Sequence, residues 1–309
     1  MSVDNPQSAP APTRIAAVVT AYHPDERLLA VVDATLTSCE EVVVVDNTPG
    51  DAASQAEKID DPRVQVVRSG SNRGLAGALN TGIRRISPEI EAVLFLDQDS
   101  VLEHDVIQAL AAHLGDPTIG IATPAPWDEA HGRFYETFSG RHGDVSDRVF
   151  AITSGMMVRR ALLDVVGDFR EEFFVDYVDL EYSLRIRRTG ARIVQDKRLK
   201  LPHSIGERRR HNILIGKILV THHPAWRHYW EMRNGLITIR EQARHYPGWA
   251  VTALLFLGRS AVLASLFEDQ RWSHVKAASR GVRDAVTGGV STKYLPAGAE
   301  LASSARPKA

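Results

Sequence analysis

Residues 94–100 read LFLDQDS, an apolar run that delivers Asp97, Gln98 and Asp99 in succession. On a strand, positions i and i+2 share a face, so the carboxylates of Asp97 and Asp99 converge on one hard cation or its waters. Mg2+ and Mn2+ are commonly held by a few carboxylates together with substrate phosphates. The competing reading makes Asp99 and Ser100 the cap of a helix beginning near Asp105. Farther along, FFVDYVDLEYSLRIRRTG at 173–190 gathers Asp176, Asp179 and Glu181 beside Phe173, Phe174 and Leu180. Acidic groups at a helix start complement its dipole, which accounts for one such residue better than for three. A general base needs a carboxylate held against an apolar wall and within reach of an acceptor hydroxyl. Asp179 is the candidate base, with Asp176 and Glu181 as candidates for acceptor binding.

Two further groups could face an anion. Asn72-Arg73-Gly74 opens a helix-like stretch that continues through Leu75, Asn80 and Gly82. Gly74 permits a tight backbone, Arg73 can pair with phosphate, and N–H groups at a helix start favour anions. An ordinary surface turn has the same composition. His203 follows a strand-like segment and is a candidate metal or diphosphate ligand, against a plain structural role. In the last third, Trp226, Tyr229 and Trp230 either line an acceptor site or pack a helix, and Arg233 could add positive field for a phosphate or an acceptor.

The elements that must carry these groups are short. Apolar segments at 15–20, 42–45, 64–67 and 93–96 read as strands, with helix-like stretches at 28–36 and 75–86. All-apolar strands separated by helices predict an α/β fold with a mostly parallel sheet covered on both faces. In such sheets ligands bind beyond the carboxyl ends of the strands, where Thr20, Tyr22, Asp46 and the 97–99 group fall. A second section holds strand-like pieces at 119–123 and 192–201 and a helix at 177–188, and the chain reads as helical from about 212. The expected division is a disordered tail over 1–13, a catalytic domain over 14–210, a helical C-terminal region over 211–290, and a flexible tail over 291–309.

With 309 residues, 44% hydrophobic and 24% charged, the chain suits one large globular domain or a domain with a smaller appended unit. Its formal net charge of −1 provides no global pull toward nucleic acid. The single cysteine, Cys39, rules out an internal disulfide and suits a reducing compartment. The opening MSVDNPQSAPAPT lacks the basic start and apolar core of a secretory signal, so the expected location is cytoplasmic. The apolar stretch 249–267 is interrupted by Thr252, Gly258, Arg259 and Ser260, and reads as a core or interfacial helix rather than a span. Arg208, Arg209, Arg210 and Lys217 form either a solvated face or a contact with anionic lipid or a lipid-linked diphosphate. The latter would place the protein peripherally on the inner face of the cytoplasmic membrane.

Together the motifs resemble the family 2 glycosyltransferases, and within them the rhamnosyltransferase-like group. The carrying segments are TAYHP at 20–24, VVVVDN at 42–47, NRGLAGALNTGI at 72–83 and FLDQDS at 95–100. TSGMMVRR at 153–160, FFVDYVDLEYSLR at 173–185, LPHSIG at 201–206 and HHPAWRHYWEMRN at 222–234 complete the set, which covers roughly 14–240. DQDS, VDYVDLE and the late Arg233-Asn234 point to the narrower group.

This resemblance implies a GT-A fold, a nucleotide-sugar-binding α/β sandwich. It implies Thr20, Tyr22 and Asp46 around base and ribose with Arg73 nearby, Gln98 on the donor side, and Asp97 and Asp99 along Mg2+ or Mn2+ and the diphosphate. His203 would be a further metal or phosphate contact, and Asp179 the base of an inverting transfer. The implied donor is a nucleotide diphosphate sugar, dTDP-rhamnose ahead of a UDP-sugar. The implied acceptor is a saccharide or lipid-linked hydroxyl in cell-surface polysaccharide or glycolipid synthesis. Many members carry Glu-Asp where this chain has Val178-Asp179, and a second Asp at Glu181, which leaves open which neighbour orients the acceptor. A sugar-nucleotide nucleotidyltransferase would share the sheet and the carboxylates, yet it calls for a Gly-rich basic first loop, and TAYHP has no glycine. A glycosidase would use paired carboxylates without needing a phosphate-type loop.

Overall fold

The computed structural model describes residues 10–51, 53–129, 131–135, 138–139, 143–202 and 223–301, together with the backbone of 208–213 and 216–221. These residues divide into two compact units. The first draws on Met1–Gly70, Ala78–Asp168 and Tyr182–His203, the second on Ser71–Gly77, Phe169–Glu181 and Ser204–Ala309.

In the first unit, runs of β-branched and other apolar residues form strands β1 (Ile15–Ala21), β2 (Glu41–Asp46), β3 (Val64–Arg68) and β4 (Ala92–Asp97). Helices α1 (Arg27–Leu36), α2 (Gly74–Ile83) and α3 (His104–His113) punctuate this part of the chain. Strands β5 (Ile119–Asp128), β6 (Arg133–Phe134), β7 (Val145–Asp147), β8 (Met156–Arg159) and β9 (Arg192–Pro202) complete the sheet. Helix α4 (Arg160–Val166) follows β8 directly, and α5 (Val178–Arg188) precedes β9. Among the described residues the sheet has nine strands in the order β3-β2-β1-β4-β8-β5-β9-β7, with β6 on β5. Strands β1 to β4 pair in parallel, as do β5 and β9, while β8 runs against both β4 and β5.

Parallel strands need cover on both faces, which is why β1, β2 and β4 are almost wholly apolar. Val18, Val44 and Leu94 are fully enclosed, and such a side chain contributes roughly 1.5–3 kcal/mol when buried. Cys39 belongs to this core, and burial pushes its thiol up to about 12, as expected of an inert structural thiol. Where α2 passes β1, a Cβ on Gly82 would collide with the side chain of Val18. The register sets Thr20 beside Asp97 and Ala21 beside Asp46, so the carboxyl ends of β2, β1 and β4 are level. The strands expected near 15, 42, 64 and 93 are present. The expected helix at 75–86 ends at Ile83, and the four-residue β8 is too short for its periodicity to have marked it.

The second unit contains an antiparallel pair, β10 (Arg208–Ile213) and β11 (Gly216–Thr221), and helices α6 (Ala225–Gln242), α7 (Pro247–Phe267) and α8 (Arg271–Thr287). The expectation of helix from 211 onward therefore gives way to a hairpin, in keeping with the strand preference of Ile213, Ile218, Val220 and Thr221. Pro247 starts α7 at a position where its missing N–H is no loss, and Gly288 closes α8 in the left-handed conformation. Tyr229 and Trp230 are fully enclosed with Phe174, Ala277 and Leu301.

The tail expected to be flexible from 291 is anchored as far as Leu301. Tyr294 stacks on Tyr229 at 4.6 Å, and its carbonyl accepts from Trp230 Nε1 at 2.8 Å. The Asn72 amide donates to Gly298 O at 3.1 Å, and the Glu300 amide donates to Asn72 O at 2.9 Å. A tyrosine and two leucines, Leu295 and Leu301, are enough to hold a stretch whose composition otherwise reads as loose.

Candidate functional site

Asp97 is the last residue of β4 and is half-buried. Thr20 Oγ1, at its register position on β1, donates to Asp97 Oδ1 at 3.4 Å, and the Ser154 hydroxyl donates to Oδ2. The Ser100 amide donates to Asp97 O at 3.1 Å, which turns the chain and returns Asp99 to the strand end. Asp99 lies 3.5 Å from Arg27 Nη1 and retains 27% side-chain exposure. Helix α3 begins at His104, with Glu103 at its cap. Asp99 and Ser100 are therefore not its cap, and that competing reading is set aside.

The neighbouring strand ends are tied together locally. Gln98 Oε1 accepts the Tyr22 amide at 2.7 Å, and Thr48 Oγ1 accepts the His23 amide at 2.8 Å. His23 has φ +48°, so the β1 loop turns sharply and leaves Tyr22 43% exposed. Asp46 is fully buried. Its Oδ1 accepts the Thr48 amide at 2.9 Å and its Oδ2 lies 3.6 Å from Arg68 Nε, so its carboxylate holds the turn after β2. Gln98 and Asp46, read from the sequence as donor-binding, thus also build the loops that surround the strand ends.

The second unit contains the other carboxylate cluster. Asp176 and Tyr177 are consecutive non-glycine residues with φ +57° and +64°, a strained pair immediately before α5. Four side chains of α6 hold it. Arg227 clasps Asp176 with bonds of 2.8–3.1 Å, and Asn234 Nδ2 donates to Val175 O at 2.8 Å and to Asp176 O at 3.1 Å. Arg233 Nη1 donates to Glu172 O at 3.1 Å and its Nε to Gly289 O at 2.8 Å, while Trp230 packs on Phe174 at 5.7 Å. Burial opposes the charge of Arg227, but Asp176, followed by Glu231 and Asp179, more than restores it. Burial, with Glu231 and Asp176 nearby, pushes the Tyr177 hydroxyl above its ordinary range.

Past this pair, Asp179 lies in the first turn of α5, half-buried, with Oδ1 accepting the Leu180 amide at 2.8 Å. Glu181 is buried, and its field helps Glu172 and Glu241 to raise Arg170 against the effect of burial. The loop at 72–74 is more committed than its composition implied. Asn72 Oδ1 accepts the Gly74 amide at 3.0 Å, Phe174 O accepts the Leu75 amide at 3.0 Å, and Arg73 pairs with Glu171 at 3.8 Å. Gly74 has φ +72°, and a Cβ there would collide with the Phe174 carbonyl. The Gly74 and Leu75 amides at the start of α2 are thus bonded within the protein.

Of the aromatic candidates, Tyr229 is fully buried, donating to Asp284 Oδ2 at 2.8 Å and accepting the Ser291 amide at 2.7 Å. Tyr229 and the 4%-exposed Arg233 hold the fold together, whereas Trp226 is part-buried, with its ring 6.3 Å from that of Phe174. His203 lies outside the described residues. Sequence reasoning missed Ser154, Arg227 and the positioning role of Asn234. The only signal for them was their presence inside the quoted motifs TSGMMVRR and HHPAWRHYWEMRN.

Comparison with known proteins bears on both units. Residues 17–167 match the family model described as Glycosyl transferase family 2, a match that includes Asp97 and Asp99 and ends before Asp179. The chain is 29% identical over 256 residues to the dTDP-rhamnosyl transferase RfbF of Shigella flexneri, covering 76% of this chain and 82% of the relative. It is 26% identical over 178 residues to the low-salt glycan biosynthesis hexosyltransferase Agl10 of Haloferax volcanii, covering 52% of this chain and 57% of the relative. The crystal structure of S. aureus TarS 1-349 in complex with UDP-GlcNAc aligns with a TM-score of 0.61 at 16% identity, over 88% of this chain and 81% of that one, and shows a shared fold.

Proposed function

We propose, on the premise that residues 17–167 belong to glycosyl transferase family 2, that the chain is an inverting, cation-dependent rhamnosyltransferase. It would move rhamnose from dTDP-rhamnose to a hydroxyl of a saccharide or lipid-linked acceptor in cell-surface polysaccharide or glycolipid synthesis. The observation that carries this reading is the carboxylate pair at the end of β4, with Asp97 aimed by two hydroxyls and Asp99 partly open. Hard carboxylate oxygens suit Mg2+ or Mn2+, with His203 as a further ligand in the same reading. Such an ion, when bound, offsets the charge that grows on the departing diphosphate. The exposed Tyr22 ring offers a face on which a nucleotide base can stack.

Asp179 acts as the base. It accepts the proton of the acceptor hydroxyl, whose oxygen bonds to the anomeric carbon as the diphosphate leaves with the electrons of the broken bond. Attack on the face opposite the leaving group inverts the configuration. Asp176 keeps a share in acceptor binding, together with Trp226, whereas Glu181, read from the sequence as a further acceptor residue, is buried and acts on Arg170 instead. The donor assignment is supported by the name and 29% identity of the Shigella relative.

A cytoplasmic enzyme with peripheral membrane contact fits the surface of α7. That helix is long and apolar enough to cross a membrane by length and composition, but Arg259 stands exposed in its middle. Its outward residues include Leu254, Leu255, Phe256 and Leu266, which suits a helix lying at the lipid interface.

Turnover of dTDP-rhamnose and of UDP-hexoses, measured with Mg2+ or Mn2+ and again with a chelator, tests the proposal. The expected result is dTDP-rhamnose turnover well above that of any UDP-sugar, stopped by the chelator. Undiminished turnover in chelator would remove the cation, and a clear UDP-sugar preference would remove the rhamnosyl assignment.

A further inference from the structure

Within the second unit, and independent of the transfer chemistry, His228 of α6, Glu268 just past α7 and His274 of α8 each direct one ligand atom into a common space, all within 4.8 Å of one another. His228 and His274 are each only 5% exposed, and their rings lie 5.0 Å apart. His228 Nδ1 lies 3.2 Å from Glu231 Oε2, and that oxygen also accepts the Ser260 hydroxyl at 2.7 Å. A carboxylate on Nδ1 places the proton there and leaves Nε2 with its lone pair. His228 Nε2 is buried and makes no hydrogen bond, an arrangement that costs free energy if nothing occupies that side.

We propose that His228, Glu268 and His274 form a site for a d-block divalent ion of the zinc class, held by two imidazoles and one carboxylate. Glu231 serves as the outer carboxylate that orients His228. Imidazole ligands favour zinc over magnesium, which distinguishes this site from the all-carboxylate pair Asp97 and Asp99. Ligand atoms around a tetrahedral zinc stand about 3.3 Å apart, so side-chain adjustment of about 1.5 Å or less closes the site. The ion would tie the turn between α7 and α8 to α6.

The test uses the full chain, freed of metal by chelator and returned to buffer, with Zn2+ and Mg2+ titrated separately and bound metal counted. The proposal expects one Zn2+ per chain, a rise in Tm with Zn2+ and none with Mg2+ through this site. His228→Ala and His274→Ala should lose that zinc, and Asp97→Asn should keep it. The near-isosteric Glu231→Gln should weaken zinc binding about 10–100-fold even if the alanine variants fold poorly. Failure of the wild-type chain to take up zinc would overturn the assignment. So would uptake left unchanged by Glu231→Gln and by both histidine variants.

Discussion

The two carboxylate clusters are held by opposite means. Asp97 and Asp99 sit where a regular strand ends, aimed by a cross-strand hydroxyl, a serine next to the adjoining strand and a local turn, with no left-handed residue among 97–99. Asp179 follows two consecutive left-handed residues in a loop held by Arg227, Trp230, Arg233 and Asn234 of α6, some fifty residues later. The first arrangement follows from sheet register, and the second is strain held in place by another helix. Damage to the first should therefore act on the carboxylates themselves. The second can be damaged at a distance.

The largest effect is expected from Asp97→Asn and Asp99→Asn, which should bring transfer below detection while circular dichroism stays native. Appreciable turnover in either would break the assignment of the strand-end pair. Asp179→Asn comes next, with turnover falling ~10²–10⁴-fold while donor affinity, measured on the same preparation, stays near wild type. A parallel loss of donor binding would erase the proposed split between donor and acceptor carboxylates. Asn234→Ala removes three hydrogen bonds, two donated by Nδ2 to Val175 O and Asp176 O and one accepted by Oδ1 from Arg233, so it should destabilise the chain by about 1–3 kcal/mol and lower turnover about tenfold or more without touching donor affinity. If kcat and KM for the acceptor were both unchanged, the loop would not need its strain held. The smallest effect belongs to Gln98→Ala, which frees the Tyr22 amide. Donor KM should rise about threefold to tenfold, in line with one lost hydrogen bond, at constant kcat.

The same contrast explains what could be read in advance. Parallel strands buried on both faces leave uninterrupted apolar runs, so β1 to β4 and the polar residues at their ends were visible in the one-dimensional pattern. Short β8 leaves no period to detect, and the part of the β10–β11 hairpin from 211 onward falls in a stretch that reads as helical. The loop at 72–74 reads as either an anion-facing helix start or an ordinary surface turn, because composition does not say whether an amide is already bonded, and Phe174, a hundred residues away, takes the Leu75 amide. Arg233 and Asn234 were legible as a motif, but not as the residues that hold Glu172, Val175 and Asp176.

The bridge between Asn72 and Ala299 has a consequence for the order in which the protein can be completed. Asn72 leaves the ribosome 226 residues ahead of Gly298, its partner (298 − 72 = 226). At ordinary rates of synthesis that interval is roughly 11–45 s. Throughout it, the turn that presents Gly74 to Phe174 lacks its backbone partners from 298–300. The strands of the first unit can pair meanwhile, because β1 to β4 are made within the first hundred residues. A nascent chain of this protein should therefore bury its sheet early and gain protease resistance at 71–77 only once residues 298–301 have emerged.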